Sequence, residues 1–384
     1  MKETKYCALT TVAASLNSFV IPAMDYLSEH GYAITLSCAQ DIEFMENLEK
    51  KYTYYPLDIE RGFKLKKTIY TIIDLYHFFK RESFDMIEYG TENVAFCASI
   101  AGFLARVPVR IYNHWGARYV GLNGLSRSLS IWIERLSALF STDIRQVSYR
   151  NADMCVKRRI YSKKKVKVLG KGGTIGVDLN KFDSSLKKQY RNEIILQYKL
   201  PEASFLYGFV GRIQKDKGIN ELIQAFKKLV EEYDAYLMLV GSIDDQNPID
   251  KENMEWAQNS ERVIFTGVVT DVYRYMSAFD ILVHPTYREG FGMVLQEAAA
   301  VKTPIITTDI MGPGEFIQNG TTGILVQPRN KDTLYNAIEQ LYRNDSELRR
   351  YAENNYQYVK DYFERSVMIR RIFEDRELLR KRMG

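Results

Sequence analysis

The sequence predicts an α/β protein made of two doubly wound, Rossmann-like domains. Three observations carry that prediction. The chain has 384 residues, too many for one comfortable hydrophobic core and about right for two domains. Short β-rich runs alternate with helical patterns almost throughout, the order that produces parallel sheets covered by helices on both faces. The alternation also runs as two series, separated by a glycine-rich break.

In the first series, strands are expected at residues 6–13, 32–39, 84–89, 109–114 and 144–148. In the second they are expected at 205–210, 235–240, 263–265, 281–284, 304–308 and 324–326. Helical patterns such as 218–233, 271–278 and 332–342 lie between the latter. Gly170, Gly172, Gly173 and Gly176 precede Val177-Asp178-Leu179-Asn180, which places the boundary between domains of 1–176 and 177–362. Residues 346–382 contain no Gly or Pro and read as helix.

Composition narrows the class. Hydrophobic residues make up 46% and charged residues 26%, the balance of a soluble globular protein. No apolar run reaches the roughly 18–20 residues that span a bilayer. Two early lysines ahead of Tyr6-Cys7-Ala8-Leu9 outline a signal peptide, but Thr10, Thr11, Ser15 and Asn17 interrupt it, and a first strand fits better. Cys7, Cys38, Cys97 and Cys155 lie far apart and read as buried free thiols of a reducing compartment. The four histidines show no metal-ligand spacing, and no D-x-D occurs to hold a divalent cation on a diphosphate, so metal-independent chemistry is expected. Neither half contains G-x-G-x-x-G or a Walker A loop, which argues against a nicotinamide dehydrogenase and a P-loop phosphotransferase. Residues 1–180 carry 25 Lys and Arg against 18 Asp and Glu, and the remainder 28 against 30. The basic first half either faces something anionic or is an ordinary solvated surface.

The most informative segment is His284-Pro285-Thr286-Tyr287-Arg288-Glu289-Gly290-Phe291-Gly292-Met293-Val294-Leu295-Gln296-Glu297. It follows an expected strand and enters a helix near Gly292, so unpaired N–H groups and the positive dipole end meet there. Such a turn suits an anion, and Gly290 and Gly292 let a phosphate approach the backbone. Glu297 falls among apolar helix neighbours, where an unpaired carboxylate is costly and a hydroxyl-rich ligand would compensate it.

Glu289-x7-Glu297 with Gly290-Phe291-Gly292 resembles the E-x7-E pattern of family 4 retaining glycosyltransferases. Gly211-Arg212-Ile213-Gln214-Lys215-Asp216-Lys217-Gly218 resembles that family's G-R-x4-K-G donor-phosphate loop, and Asp280, Pro285, Gly323 and residues 304–309 match as well. The resemblance is strong over residues 204–345 and weaker over the first half. It implies the GT-B fold, with two Rossmann-like domains facing a cleft and a last helix, about 363–384, crossing back to the first domain. It also implies a nucleotide-sugar donor, no cofactor and no metal. In that reading Arg212 and Lys217 neutralise the leaving diphosphate, and Glu297 binds the ribose hydroxyls. Glu289 binds the transferred sugar and steadies its cationic transition state, while Gly290, Phe291, Gly292, Met293, Val294 and Leu295 complete the donor site. Stabilising the leaving group is then the main catalytic task. Front-face attack within an ion pair and double displacement through a carboxylate both stay open.

On the acceptor side, His114 follows an expected strand beside Trp115-Gly116. The resemblance makes it a contact of the donor sugar; a structural, hydrogen-bonded histidine is the other reading. Ser15, Leu16 and Asn17 are expected as a small-residue loop facing the cleft, where the family often has paired glycines. Residues 122–140 carry apolar side chains at helical spacing, read either as core or as an interfacial surface with Trp132, Arg127 and Arg135 at headgroup level. Arg158, Arg159, Lys163, Lys164, Lys165 and Lys167 add attraction to an anionic membrane in the second case. No nucleic-acid recognition pattern accompanies these charges.

The first half most resembles bacterial capsule, exopolysaccharide and lipid-linked glycan transferases, through Ser15-Leu16-Asn17-Ser18-Phe19 and Tyr112-Asn113-His114-Trp115-Gly116. That likeness implies a UDP-sugar donor, an undecaprenyl-diphosphate-linked sugar acceptor and a cytoplasmic protein at the inner face of the membrane. A nucleotide-sugar epimerase on the same fold, a non-catalytic partner subunit and a cytosolic transferase with a soluble acceptor are the rivals.

Overall fold

Among the described residues every strand pairing within the two sheets is parallel, as β-α alternation requires. The structure is a computed structural model that describes residues 3–59, 62–244 and 247–383. The chain divides into two units, Met1–Ile175 with Ser366–Gly384, and Gly176–Arg365.

The first unit opens with β1 (Thr4–Leu9), α1 (Ala13–Phe19), α2 (Ile21–Ser28), β2 (Tyr32–Ala39) and α3 (Ile42–Asn47). There follow β3 (Thr53–Leu57), α4 (Leu65–Glu82), β4 (Met86–Gly90), α5 (Glu92–Leu104) and β5 (Val109–His114). It continues with α6 (Gly124–Phe140), β6 (Asp143–Gln146), α7 (Tyr149–Lys157) and β7 (Val166–Val168). The sheet order is β3-β2-β1-β4-β5-β6-β7. Two of these strands lack a sequence signal. Pro56 interrupts β3, which is tolerable because β3 is an edge strand, and β7 is three residues inside a lysine-rich run at the other edge. The first strand stops at Leu9, and the expected loop of Ser15, Leu16 and Asn17 is instead helix α1, with Leu16 buried. Ala13 and Ala14 favour the helix, and Thr10 turns the chain into it by bonding the Val12 carbonyl at 2.9 Å.

The second unit contains α8 (Lys187–Gln197), β8 (Phe205–Val210), α9 (Ile219–Leu229), β9 (Ala235–Val240), α10 (Lys251–Asn259) and β10 (Val263–Gly267). Next come α11 (Val272–Ala278), β11 (Ile281–His284), α12 (Met293–Ala300), β12 (Ile305–Thr308) and α13 (Pro313–Phe316). It ends with β13 (Ile324–Val326), α14 (Lys331–Tyr342) and α15 (Asp345–Tyr362). Its sheet order is β10-β9-β8-β11-β12-β13. Strands β8 and β9 are near-continuous apolar runs, the pattern of strands buried on both faces. The order reverses between β8 and β11, so the loops after these two strands lie side by side at a topological switch point.

The helical stretch expected over 346–382 divides into α15 and α16 (Arg365–Lys381), the second near the last helix expected at about 363–384. The break has a cause. Phe363 is fully buried, and residues 363–365 bond Val177 through two backbone hydrogen bonds of 2.8 and 2.9 Å instead of continuing the helix. Helix α16 belongs to the first unit and is fixed there by buried charge. Arg376 pairs with Glu88 at 2.6 Å, and Asp375 pairs with Arg145 at 2.7 Å and Lys167 at 3.0 Å. Removing one partner from such a network leaves a buried charge unpaired, which costs about 3–5 kcal/mol.

Candidate functional site

The switch point of the second unit brings together the loops of residues 211–218 and 285–292. They are stapled at several points. The Asp216 carbonyl accepts the Tyr287 N–H at 2.9 Å, and the Asp216 carboxylate accepts Arg288 at 2.7 Å. Tyr287 donates to Glu221 at 2.6 Å. Gly218 has φ 73°, and a Cβ there would lie 2.0 Å from the Pro285 carbonyl oxygen, so only glycine allows the loops this close. Gly312 supports the second loop from below: a Cβ on it would stand 2.5 Å from the Gly290 carbonyl oxygen.

Within this frame Lys217 Nζ lies 2.6 Å from Glu289 Oε2. Glu289 also accepts the Gly290 N–H at 3.1 Å. Burial works to raise the Glu289 carboxyl, but Lys217 and the Gly290 N–H bring it below its ordinary value, so it is ionised. Arg212, largely exposed, pairs with Asp244 at 2.9 Å. Helix α12 begins at Gly292 with φ 91°, has no side-chain cap and carries no acid in its first turn. An anion at this end would meet the positive end of the helix dipole. Met293 and Val294 are partly exposed there, whereas the Phe291 and Leu295 side chains are buried and leave only their backbone to the loop. Phe291 packs against Phe363 and Phe316 and pins the turn to the core.

Glu297, one and a half turns into α12, makes no hydrogen bond or salt bridge among the described residues. Burial pushes its carboxyl up to about 7, with Lys181 and Arg365 pulling the other way. A half-buried acceptor without a donor is what a ligand rich in hydroxyls would satisfy. His284, fully enclosed at the end of β11, stacks on Phe209 and is neutral: burial, then Lys217, lowers its imidazole to about 3.

The first unit departs from expectation. His114 does not face solvent: it is 1% exposed. Its Nδ1 meets the Gln146 amide at 2.5 Å, and its Nε2 lies 3.3 Å from Glu134, which also accepts from Tyr112 at 2.7 Å. Both ring nitrogens thus meet buried side chains of β6 and α6. Ser15 and Asn17 sit on α1, partly and fully exposed, while Leu16 belongs to the core. Two of the cations read as part of a basic surface are also engaged elsewhere. Lys165 donates to the carbonyls of Ala138, Leu139 and Ser141 and caps the end of α6, and Lys167 pairs with Asp375.

Sequence reading missed Asp244, Glu221 and Gly312. Asp216 was quoted within its loop but given no task. Their partners lie tens of residues away, so no local spacing announced them; only the glycines near Pro285 and Gly290 hinted at a close approach.

Comparison with known proteins agrees with this geometry. Residues 191–358 match the family model for glycosyl transferases group 1, and residues 7–149 the model for glycosyl transferase 4-like domains. The capsular polysaccharide biosynthesis glycosyltransferase CapM of Staphylococcus aureus is 28% identical, over 96% of this chain and 95% of that one. An Escherichia coli enzyme described as UDP-Gal:α-D-GlcNAc-diphosphoundecaprenol α-1,3-galactosyltransferase is 25% identical over 82% and 81%. A glycosyltransferase structure from Rickettsia africae superposes with a TM-score of 0.82 at 17% identity, covering 99% of this chain and all of that one. The chain therefore belongs to the family 4 glycosyltransferases, with a glycosyl transferase 4-like first half and a group 1 second half on the GT-B fold.

Proposed function

We propose that the protein transfers one hexose or N-acetylhexosamine, with retention and without a metal, from a UDP-sugar to an undecaprenyl-diphosphate-linked sugar during assembly of a bacterial surface polysaccharide. The observation that carries the donor half is the meeting of Lys217, Glu289 and the glycine-led N-terminus of α12 at one switch point. As the anomeric C–O bond breaks, negative charge grows on the diphosphate and positive charge on the sugar. Lys217, Arg212 and the α12 N-terminus answer the first; the ionised Glu289 answers the second. Glu297 accepts hydrogen bonds from the ribose. The acceptor half rests on the printed activities of the two bacterial relatives, one a capsule enzyme and one using a diphosphoundecaprenol acceptor. Such an acceptor implies peripheral contact with the inner face of an anionic membrane.

A thermal-shift screen of UDP-, GDP- and ADP-sugars, followed by mass spectrometry with a lipid-linked acceptor, tests the reading. Stabilisation by a UDP-sugar and a product one sugar heavier are expected. No shift with any nucleotide sugar overturns the donor site; conversion of the donor alone to an isomer replaces transfer by epimerisation; and transfer only to soluble sugars removes the lipid-linked acceptor.

A further inference from the structure

Helix α6 has two faces of different kinds. Ser130, Ile133, Glu134, Ser137 and Ala138 are buried against the sheet of the first unit. On the other side Leu125 is 90% exposed, Leu129 58%, Trp132 59% and Leu139 63%. These positions recur at helical spacing, so they form one stripe rather than scattered apolar residues. A stripe of that size in water marks an interaction surface. Beside it runs a groove of about 570 Å³, floored by Leu136, Val156 and Ile160 between Trp132 and Leu139.

The rim is cationic without relief. Between Arg118 and Ser141, and between Val156 and Lys167, the one acid is the buried Glu134. Arg127, Arg135, Arg158, Arg159, Lys163 and Lys164 have no ion-pair partner among the described residues, in contrast to Lys165 and Lys167. The Arg135 guanidinium lies 5.8 Å over the Trp132 ring, an arrangement that holds the cation beside the apolar stripe. Like charge argues against a second copy on this face, since two copies would set these cations against each other.

We infer that the α6 face docks on an anionic lipid bilayer, with Leu125, Leu129, Trp132 and Leu139 below the headgroups, a lipid chain in the groove and the six cations at phosphate level. This deepens the lipid-linked-acceptor reading by naming the surface that would hold the enzyme at its substrate. It rests on that reading only for its purpose. Among the described residues no helix is long and apolar enough to cross a membrane, so contact through this face would lie in the plane of the bilayer.

The test uses the full chain and needs neither donor nor acceptor. Vesicle flotation compares phosphatidylcholine alone with phosphatidylcholine containing phosphatidylglycerol. Binding to the anionic vesicles, weakened by salt, is expected. The double variant Leu129→Asn/Trp132→Ser should weaken it roughly tenfold or more, as deletion of two buried apolar side chains implies. Arg158→Gln/Arg159→Gln should weaken it several-fold, with both variants melting like the parent. Trp132 fluorescence should shift to the blue on binding and be quenched by brominated lipid, a signal absent in Trp132→Phe. Absence of binding, binding unchanged in the apolar variant, or a self-association that the variant abolishes overturns the proposal. Failure is separable from failure of the transfer reading: transfer to a detergent-dispersed acceptor does not require the surface, and vesicle binding does not require transfer.

Discussion

The two units share an architecture and differ in what they place at the point where their strand order reverses. In the second unit the switch between β8 and β11 carries two glycine-bearing loops, an ionised Glu289 against Lys217, and a helix start led by glycine. In the first unit the switch lies between β1 and β4 and is closed by a hydroxyl pair, Thr11 and Thr91, 2.7 Å apart. Two titratable groups of the first unit's sheet strands are instead buried in pairs, His114 with Glu134 and Glu88 with Arg376. One sheet gathers charge at its switch point, and the other buries charge in pairs that hold it together. A doubly wound sheet thus supplies a place for a site, and the loops decide whether charge is left over there.

This contrast can be broken by substitution. The largest effect is expected at Lys217→Ala, which removes a cation from the leaving group: kcat/KM for the donor should fall by about 10²–10³. If it falls less than the same change at Lys215, which pairs with Asp250 at the loop's edge, the second switch point is not the donor site. Next is His114→Ala. It strips Gln146 and Glu134 of a buried partner and should cost about 2–4 kcal/mol of stability, read as a lower Tm, while donor binding stays unchanged. Loss of transfer at an unchanged Tm would return His114 to the chemistry.

The smallest effect is at Glu297. Its folded pKa of about 7 lies above the ordinary value of 4.5, so the folded state keeps its proton longer than the unfolded chain. Its contribution is therefore most favourable at low pH and is lost as pH rises from the unfolded value to about 7. Glu297→Gln should flatten that part of the stability profile. In the wild-type protein donor affinity should rise with pH over the upper part of this range, as the carboxylate forms and accepts ribose hydroxyls. A donor affinity with the same pH profile in Glu297→Gln would remove Glu297 from the ribose.

Much of the second unit was legible because its signals are local. Strands β8, β9, β11 and β13 coincide with their apolar runs, and the glycines of the two loops stand in the chain beside Lys217 and Glu289. The first unit was less legible. Ala13 to Asn17 looked like a turn because small polar residues serve both turns and helix starts, and β3 and β7 are edge strands with weak patterning. His114 follows a strand next to a glycine, as a ligand-facing histidine would, but its burial depends on Glu134 and Gln146 arriving from elsewhere.

By itself, then, the sequence determined the α/β class, the two series of strands and the glycine-flanked segment from Glu289 to Glu297. These follow from hydrophobic period and from glycines adjacent in the chain, which act over a few residues. Only the tertiary structure decided which of the charges are paired and which apolar side chains stay uncovered. Lys217 meets Glu289 across 72 residues, Lys165 leaves the basic surface to cap α6, and the stripe on α6 stays uncovered. Those outcomes depend on strand order and helix packing, which bring together residues that no spacing along the chain relates.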